Sequence, residues 1–316
     1  MDLNHMLWVE KYRPHKIQDC ILPDNLKTTF QEYVNRKEIP NLLLVGSAGV
    51  GKTTIAKALC EEVGCDYIVI NGSDEGRLIE TFRVKIKNYA SSLSLSGGRK
   101  VIIIDEADYT NAESVQPALR NFMEEFSVNC SFILTCNYKN KIIAPLHSRC
   151  SVVEFKIQNG QKAKMATQFF KRVEWILSEE SVTYEKEVIA AVITKHFPDN
   201  RRILNELQRY SSNDSRTIDK GILAAVTDVN INNLVKSIGE KDFTTARKWV
   251  TSNVHSDAQS IIRSIYDNLY EFLKPESIPQ AVLILSKYQY QAAFVADQEI
   301  NLMACVTEFM IECEFK

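Results

Sequence analysis

Five short apolar runs punctuate the first half of the chain: NLLLVG (41–46), DYIVIN (66–71), KVIIID (100–105), SFILTCN (131–137) and SVVEFK (151–156). None alternates polar with apolar positions, which is the pattern of parallel strands buried on both faces. Helical stretches separate them, among others at 52–62, 77–90 and 113–126. The pattern therefore predicts a doubly wound α/β domain with a five-stranded parallel sheet. Past about residue 156 the strand signal stops. Met165, Phe169, Val173, Ile176 and Leu177 recur at helical spacing, and EKEVIAAVITKHF (185–197) gives a second helix. Pro198 ends it, and Asp199 is placed to cap a third, NRRILNELQRY (200–210). The polar run SSNDSRT (211–217) reads as a linker. From 218 the spacing is helical again, through DAQSIIRSIYDNLYEFL to an apolar-rich stretch near 278–313. Three parts are expected: an α/β domain over 1–156, a small helical domain over 157–215 and an all-helical domain over 216–316.

Composition narrows the field only a little. With 45% hydrophobic and 25% charged residues in 316, the chain suits a globular protein of two or three domains. A formal net charge of −2 excludes a broad basic field, so any nucleic-acid contact must come from a local basic strip. The eight cysteines, at 20, 60, 65, 130, 136, 150, 305 and 313, show no CxxC spacing. That disfavours a zinc site and reads as scattered reduced thiols. No run of 18 apolar residues and no basic-then-apolar leader pattern occurs, so a cytoplasmic protein without a membrane span is expected.

The candidate chemistry begins with GSAGVGKTT (46–54), which fits G-x-x-x-x-G-K-[ST] directly after an apolar strand. Glycines let the backbone curl its N–H groups inward at phosphate oxygens, and the following helix N-terminus adds its positive end. Gly46, Gly49, Gly51, Lys52, Thr53 and Thr54 are thus the nucleotide-binding candidates, with Lys52 reaching the β- and γ-phosphates and the Thr53 hydroxyl on Mg2+. The alternative, a glycine-rich turn that binds nothing, is disfavoured by the strand before it and the helix after it. VIIIDEAD (101–108) supports the same reading. Asp105 ends a buried strand where a carboxylate can hold Mg2+, and Glu106 is placed to orient and deprotonate the attacking water. A paired acid there favours ATP hydrolysis over binding alone, against the alternative of a solvated acidic turn.

DEAD, then SFILTCN, then HSRC is the order found in the AAA+ ATPases. WVEKYRP (8–14) and QPALRNFMEEFSVNCSFILTCNYKNKIIAPLHSRC (116–150) are similar to the replication factor C branch of clamp loaders. With CILP (20–23), NGSD (71–74), FPDNRR (197–202) and a helical C-terminal third, the layout resembles the large ATPase subunit of T-even-type phage loaders. The resemblance implies an AAA+ domain, a lid and a C-terminal collar that assembles a hetero-oligomer. That assembly is expected to be pentameric, with several copies of this chain plus a smaller subunit. ATP binding is expected to open a sliding clamp and load it on primer–template DNA, and hydrolysis to release the loader. Carried over, the resemblance puts Tyr12, Arg13 and Pro14 near the adenine. It makes Asn137 the polar sensor of the attacking water and Arg201 a lid arginine on the γ-phosphate. Asn71 becomes a switch holding Glu106 inactive, and Gln116 and Arg120 a coupler between DNA and the site. The loop departs from the usual GPPGTGKTT at Ser47, Ala48 and Val50, leaving the required glycines and lysine in place.

On LIETFRVKIKNYA (78–90), Ile79, Phe82, Ile86 and Tyr89 make one apolar face beside a basic stripe of Arg83 and Lys87. By itself this is an ordinary solvated helix face; the resemblance makes it a DNA-lining one that contacts phosphates. The resemblance implies clamp contact near ESVQPALRNF and SSLSLSGG, neither of which carries a signal of its own, and the aromatic run YQYQAAF (288–294) is read as collar packing rather than a stacking platform for bases. Arg149, in APLHSRC (144–150), is expected to act as an arginine finger in a neighbouring subunit, with a structural salt bridge as the alternative. Other readings of the whole chain are a branch-migration-type motor or a non-catalytic loader scaffold.

Overall fold

The computed structural model describes residues 7–74, 79–92, 99–157, 160–212, 216–219, 231–253, 258–292 and 294–316. The chain divides into two compact units, Met1–Leu223 and Ala224–Lys316.

In the first unit β1 (Leu42–Val45), β2 (Tyr67–Asn71), β3 (Lys100–Asp105), β4 (Cys130–Cys136) and β5 (Ser151–Glu154) form one parallel sheet in the order β2-β3-β4-β1-β5. The central strands β1, β3 and β4 are apolar because they face protein on both sides, whereas the outer strands β2 and β5 are partly exposed. Leu43, Ile102, Ile104, Phe132 and Leu134 point into one core, with Phe82 and Ile86 of α4 (Ile79–Ser91) and Leu119 and Phe122 of α5 (Val115–Glu125). Their neighbours Leu42, Leu44, Val101, Ile103 and Ile133 point into the other. There they meet Phe30 of α2 (Asp24–Arg36) and Ile55 and Leu59 of α3 (Lys52–Val63). Successive side chains leave a strand on opposite faces, so one apolar run feeds two cores. The short α1 (Trp8–Lys11) precedes α2, and α6 (Ala144–His147) leads into β5.

The five residues expected at helical spacing after 156 are the buried ones of α7 (Gln161–Glu179). Then come α8 (Lys186–His196) and α9 (Asn200–Ser211), the latter capped by Asp199, whose carboxylate accepts the Arg202 N–H at 3.0 Å. Two expectations change here. The strands do not stop at 156, since β6 (Thr183–Tyr184) and β7 (Thr217–Ile218) pair in parallel, and Ile218 is fully buried. The run 211–217 is therefore not simply a linker: its last residue opens β7, and Ser211 is buried in α9. Two-residue strands are too short to leave a periodic signal. Residues 213–215 lie outside the described residues, as do 93–98 of the expected clamp-facing stretch SSLSLSGG.

The second unit is helical: α10 (Ile231–Gly239), α11 (Phe243–Asn253), α12 (Ala258–Asp267), α13 (Leu269–Phe272), α14 (Ile278–Ala292) and α15 (Gln298–Glu312). Leu234, Val250, Ile262, Leu285, Val306 and Phe309 meet in its core. The aromatic run 288–294 packs inward only in part. Tyr288 and Ala292 are buried, but Tyr290 and Phe294 are exposed, with their rings in tilted contact at 5.1 Å, because they lie on the opposite face of α14 and just beyond its end. Among the described residues no helix is long and apolar enough to cross a membrane.

Phe132 sits fully buried in the central strand β4. Phe132→Ala is expected to lower the stability of the first unit by about 3–5 kcal/mol, read from urea unfolding followed by circular dichroism. Val128→Ala, at a position 83% exposed, should stay within about 0.5 kcal/mol of wild type.

Candidate functional site

The carboxyl ends of β1, β3 and β4 lie side by side, and the loop 46–51 continues from β1 with Gly46 N–H on the Cys136 carbonyl at 3.2 Å. Gly49 and Gly51 adopt φ of +73° and +94°, a left-handed backbone that only glycine takes without strain. Gly51 then caps α3, whose first residue is Lys52. Lys52 is 8% exposed, and its ammonium donates to the Gly46 and Ser47 carbonyls and to Asn137 Oδ1, each at 2.8 Å. Burial pushes its pKa below the ordinary lysine value and the charge of Arg201 adds to this, while Cys136, Asp105 and Asp108 oppose it.

One residue on, the Thr53 hydroxyl donates to Asp105 Oδ1 at 2.6 Å, and Thr135 donates to the same oxygen at 2.6 Å. Thr135 in turn accepts the Glu106 N–H at 3.1 Å. Glu106 has φ +54°, ψ +45°, a left-handed conformation that costs a non-glycine residue about 1–2 kcal/mol. Strain of this kind collects at functional sites. The turn after β2 lies against this residue: Gly72 N–H donates to the Asp105 carbonyl at 2.7 Å, and a Cβ on Gly72 would stand 2.5 Å from the Glu106 carbonyl oxygen. The Thr53 hydroxyl and the Asp105 carboxylate are hard oxygen donors beside the phosphate loop, the donor chemistry that Mg2+ takes.

A single cavity joins the loop to the N-terminal segment and to the α7–α9 layer. Tyr12, Arg13, Pro14, Gly49, Gly51, Lys52, Thr53, Thr54 and Arg201 all line it. Asn200 N–H donates to the Gly49 carbonyl at 3.2 Å, so the N-terminus of α9 meets the loop and Arg201 follows directly. Residues 8–12 bridge to α7 and α9. Trp8 N–H donates to Gln208 Oε1 at 2.9 Å; Lys11 Nζ and Tyr12 Oη reach Glu180 Oε1 at 2.7 and 2.6 Å. Arg172 donates to the Tyr12 carbonyl at 3.2 Å and stacks on Trp175, whose ring meets Tyr12 edge-on at 5.4 Å. Burial, then the bond to Glu180, raises the Tyr12 pKa. Arg13 pairs with Glu10, and its Nε is buried without a partner.

Not every candidate converges here. Asn71 lies next to Asp105 in the sheet, but its side chain accepts Ser73 N–H and Oγ–H at 2.9 and 2.8 Å and makes no hydrogen bond to Glu106. Gln116 is fully buried, donating to the Lys141 carbonyl at 3.0 Å and accepting Ile143 N–H at 2.8 Å, so it ties α5 to the segment beyond Asn137. Arg120, one turn further, bonds Asn121. Arg83 and Lys87 face solvent on α4, opposite buried Phe82 and Ile86, with Arg83 3.5 Å from Glu80. Arg149 lies at the opposite edge of the sheet. It stands two residues before Ser151, which pairs with Leu42 at the amino end of β1. It donates to Glu124 and to the Pro145 carbonyl, and the hydrogen bond to Glu124, then its charge, lowers the Glu124 pKa from the ordinary carboxylate value.

Thr135, Asp108, Arg172 and Glu180 carry contacts that sequence reading did not single out. For Thr135 the available signal was a hydroxyl inside the otherwise apolar SFILTCN; for Asp108 it was the last position of DEAD.

Residues 42–158 match the ATPase family associated with various cellular activities (AAA), and residues 161–224 match the AAA+ ATPase lid domain of the sliding-clamp-loader large subunit. The sliding-clamp-loader large subunit of Enterobacteria phage T4 is 35% identical over 312 residues, covering 97% of this chain and 96% of that one. The replication factor C small subunit of Methanothermobacter thermautotrophicus is 31% identical over 307 residues, covering 96% of this chain and 90% of its own. Among solved structures, the Thermotoga maritima RuvB Holliday junction branch migration motor superposes with TM-score 0.54 at 20% identity, over 72% of this chain and 78% of that one.

A Cβ at Gly49 would sit 1.7 Å from Asp199 Oδ1 on a left-handed backbone. Gly49→Ala is expected to weaken ATP binding by about tenfold or more, measured by titration with a fluorescent nucleotide.

Proposed function

The chain belongs to the AAA ATPases of the sliding-clamp-loader group, and from that premise we propose that it is the ATP-driven subunit that opens a ring-shaped polymerase clamp and loads it on primer–template DNA. The observation that carries the reading is the division of hydrolytic groups between the two edges of one parallel sheet. Lys52, Thr53, Asp105, Glu106 and Asn137 gather at the carboxyl edge, and Arg149 stands at the amino edge. The length of β1 alone separates them by on the order of 10 Å. That placement supports a role for Arg149 in a neighbouring copy, since its solvent-exposed ion pair with Glu124 is weak and readily exchanged for a phosphate.

In the working site the Lys52 ammonium leaves the loop carbonyls for the β- and γ-phosphates. Glu106 takes a proton from the attacking water as its oxygen bonds to the γ-phosphorus and the bond to the bridging oxygen breaks. Asn137 orients that water, and Arg201 reaches the γ-phosphate from α9. Tyr12 and Arg13 border the base. Thr53 and Asp105 would hold Mg2+, which would supply charge neutralisation for the phosphates. Asn71, committed to Ser73 here, is the switch that restrains Glu106 when it turns. Gln116 and Arg120 relay DNA contact made by Arg83 and Lys87, whose phosphate contacts position a duplex without reading its sequence. The assembly is a hetero-oligomer, pentameric, with several copies of this chain and a smaller subunit, working in the cytoplasm (the host's, if the chain is phage-encoded). The likeness to the branch-migration motor is one of fold alone.

ATP turnover is expected to rise sharply when clamp and primed DNA are added together; unchanged turnover would count against clamp loading. Glu106→Gln should retain ATP binding and lose about 10²-fold or more in hydrolysis. Arg149→Lys should retain ATP binding and lose most of the stimulated rate, since lysine lacks the planar fork. Near-wild-type stimulated turnover in that variant overturns the role in trans.

A further inference from the structure

Asp108 lies three residues past Asp105, on the single helical turn Ala107–Tyr109 that follows Glu106. It is only 6% exposed. Its Oδ2 accepts two backbone N–H groups, those of Asn137 and Tyr138, both at 3.1 Å. These are the first two residues beyond β4, where pairing with β1 ends at Cys136. The other oxygen, Oδ1, is buried without a hydrogen-bond partner. Burying a carboxylate with one oxygen unsatisfied is costly, and a side chain that does so calls for a reason beyond folding.

The geometry supplies one. Asn137 projects its Oδ1 onto Lys52 Nζ at 2.8 Å. The direction of that side chain is set by the backbone at 137, and both amides flanking the Asn137 Cα are held by a single carboxylate. On the outer side the same two loops are joined again, because the Lys141 ammonium lies over the rings of Tyr138 and Tyr109, at 4.8 and 5.2 Å. Glu106 and Asn137 are thus carried by segments stitched together inside and out.

We propose that Asp108 is a positioning residue for ATP hydrolysis, acting through Asn137 by clamping its backbone to the turn that carries Asp105 and Glu106. The inference rests on the reading of Asn137 as the group that orients the attacking water. A displacement of about 1 Å in such a group is enough to cost about 10²-fold in rate.

The test is a double-mutant cycle on the assembled loader, with kcat and ATP Kd measured for Asp108→Ala, Asn137→Ala and the pair, alongside thermal unfolding midpoints. Asp108→Ala is expected to lower kcat by about 10–100-fold with Kd within about threefold of wild type. The double variant should be no slower than Asn137→Ala. Asp108→Asn, whose amide oxygen still accepts both N–H groups, should recover kcat to within about two- to fivefold of wild type. If Asp108→Ala does not fold, the same cycle with Asp108→Asn decides, since its smaller loss must vanish when Asn137 is already alanine. Multiplying losses in the double variant overturn the proposal. So does a loss confined to ATP affinity, which would mean that the carboxylate acts on Lys52 instead. If Asn137→Ala leaves kcat unchanged, it is the reading of Asn137 that fails; a slow Asn137→Ala beside a normal Asp108→Ala removes the inference about Asp108 alone.

Discussion

A buried ammonium has to be surrounded by acceptors, and the Lys52 side chain meets that demand with groups from two different parts of the chain. Two loop carbonyls and the Asn137 amide oxygen hold it. A charge in this position ties the curl of the loop to the end of β4, because an uncompensated buried charge would cost several kcal/mol. The glycines that permit the curl, the register that brings β4 beside β1 and the turn that presents Asp105 and Glu106 all converge on that point.

The second organising feature is that the cavity has three walls from three stretches of sequence. The phosphate loop supplies one, the segment from Val9 to Ile21 another, and α7 and α9 the third. The contacts between walls combine the edge-on meeting of Tyr12 with Trp175 with several polar ones: Asn200 on Gly49, Glu180 on Lys11 and Tyr12, Arg172 on the Tyr12 carbonyl. Polar contacts of this kind can be remade in a slightly different geometry at small cost, unlike an interdigitated apolar core.

Sheet polarity explains why such a chain works in company. In a parallel sheet every strand delivers its carboxyl end to the same edge, so loop, acids and sensor collect there without special arrangement. Residues that precede strands collect at the other edge. Arg149 precedes β5 and so lies at that other edge, away from the loop that follows β1, which is the placement behind the proposal that it acts on a neighbouring subunit.

Much of this was legible in the linear chain. Continuous apolar runs marked the five strands, the glycine and lysine spacing marked the phosphate loop, and DEAD after a strand marked the acids, because each is a local pattern imposed by backbone geometry. Asp199 as a helix cap was equally local. The strands β6 and β7 were not legible, since two residues are too few to establish a period. Nor were the outward faces of Tyr290 and Phe294, which depend on how α14 is rotated against its neighbours. The roles of Thr135, Asp108 and Glu180 were decided by tertiary structure alone. Their partners lie 30, 29 and 168 residues away, and a hydrogen bond across such a separation leaves no periodicity behind. The sequence by itself determined which segments become strands and helices and which chemistry they can carry. Only the packing of the sheet and its covering helices decided which of those groups face one another, because proximity across a fold is set by register and rotation rather than by spacing along the chain.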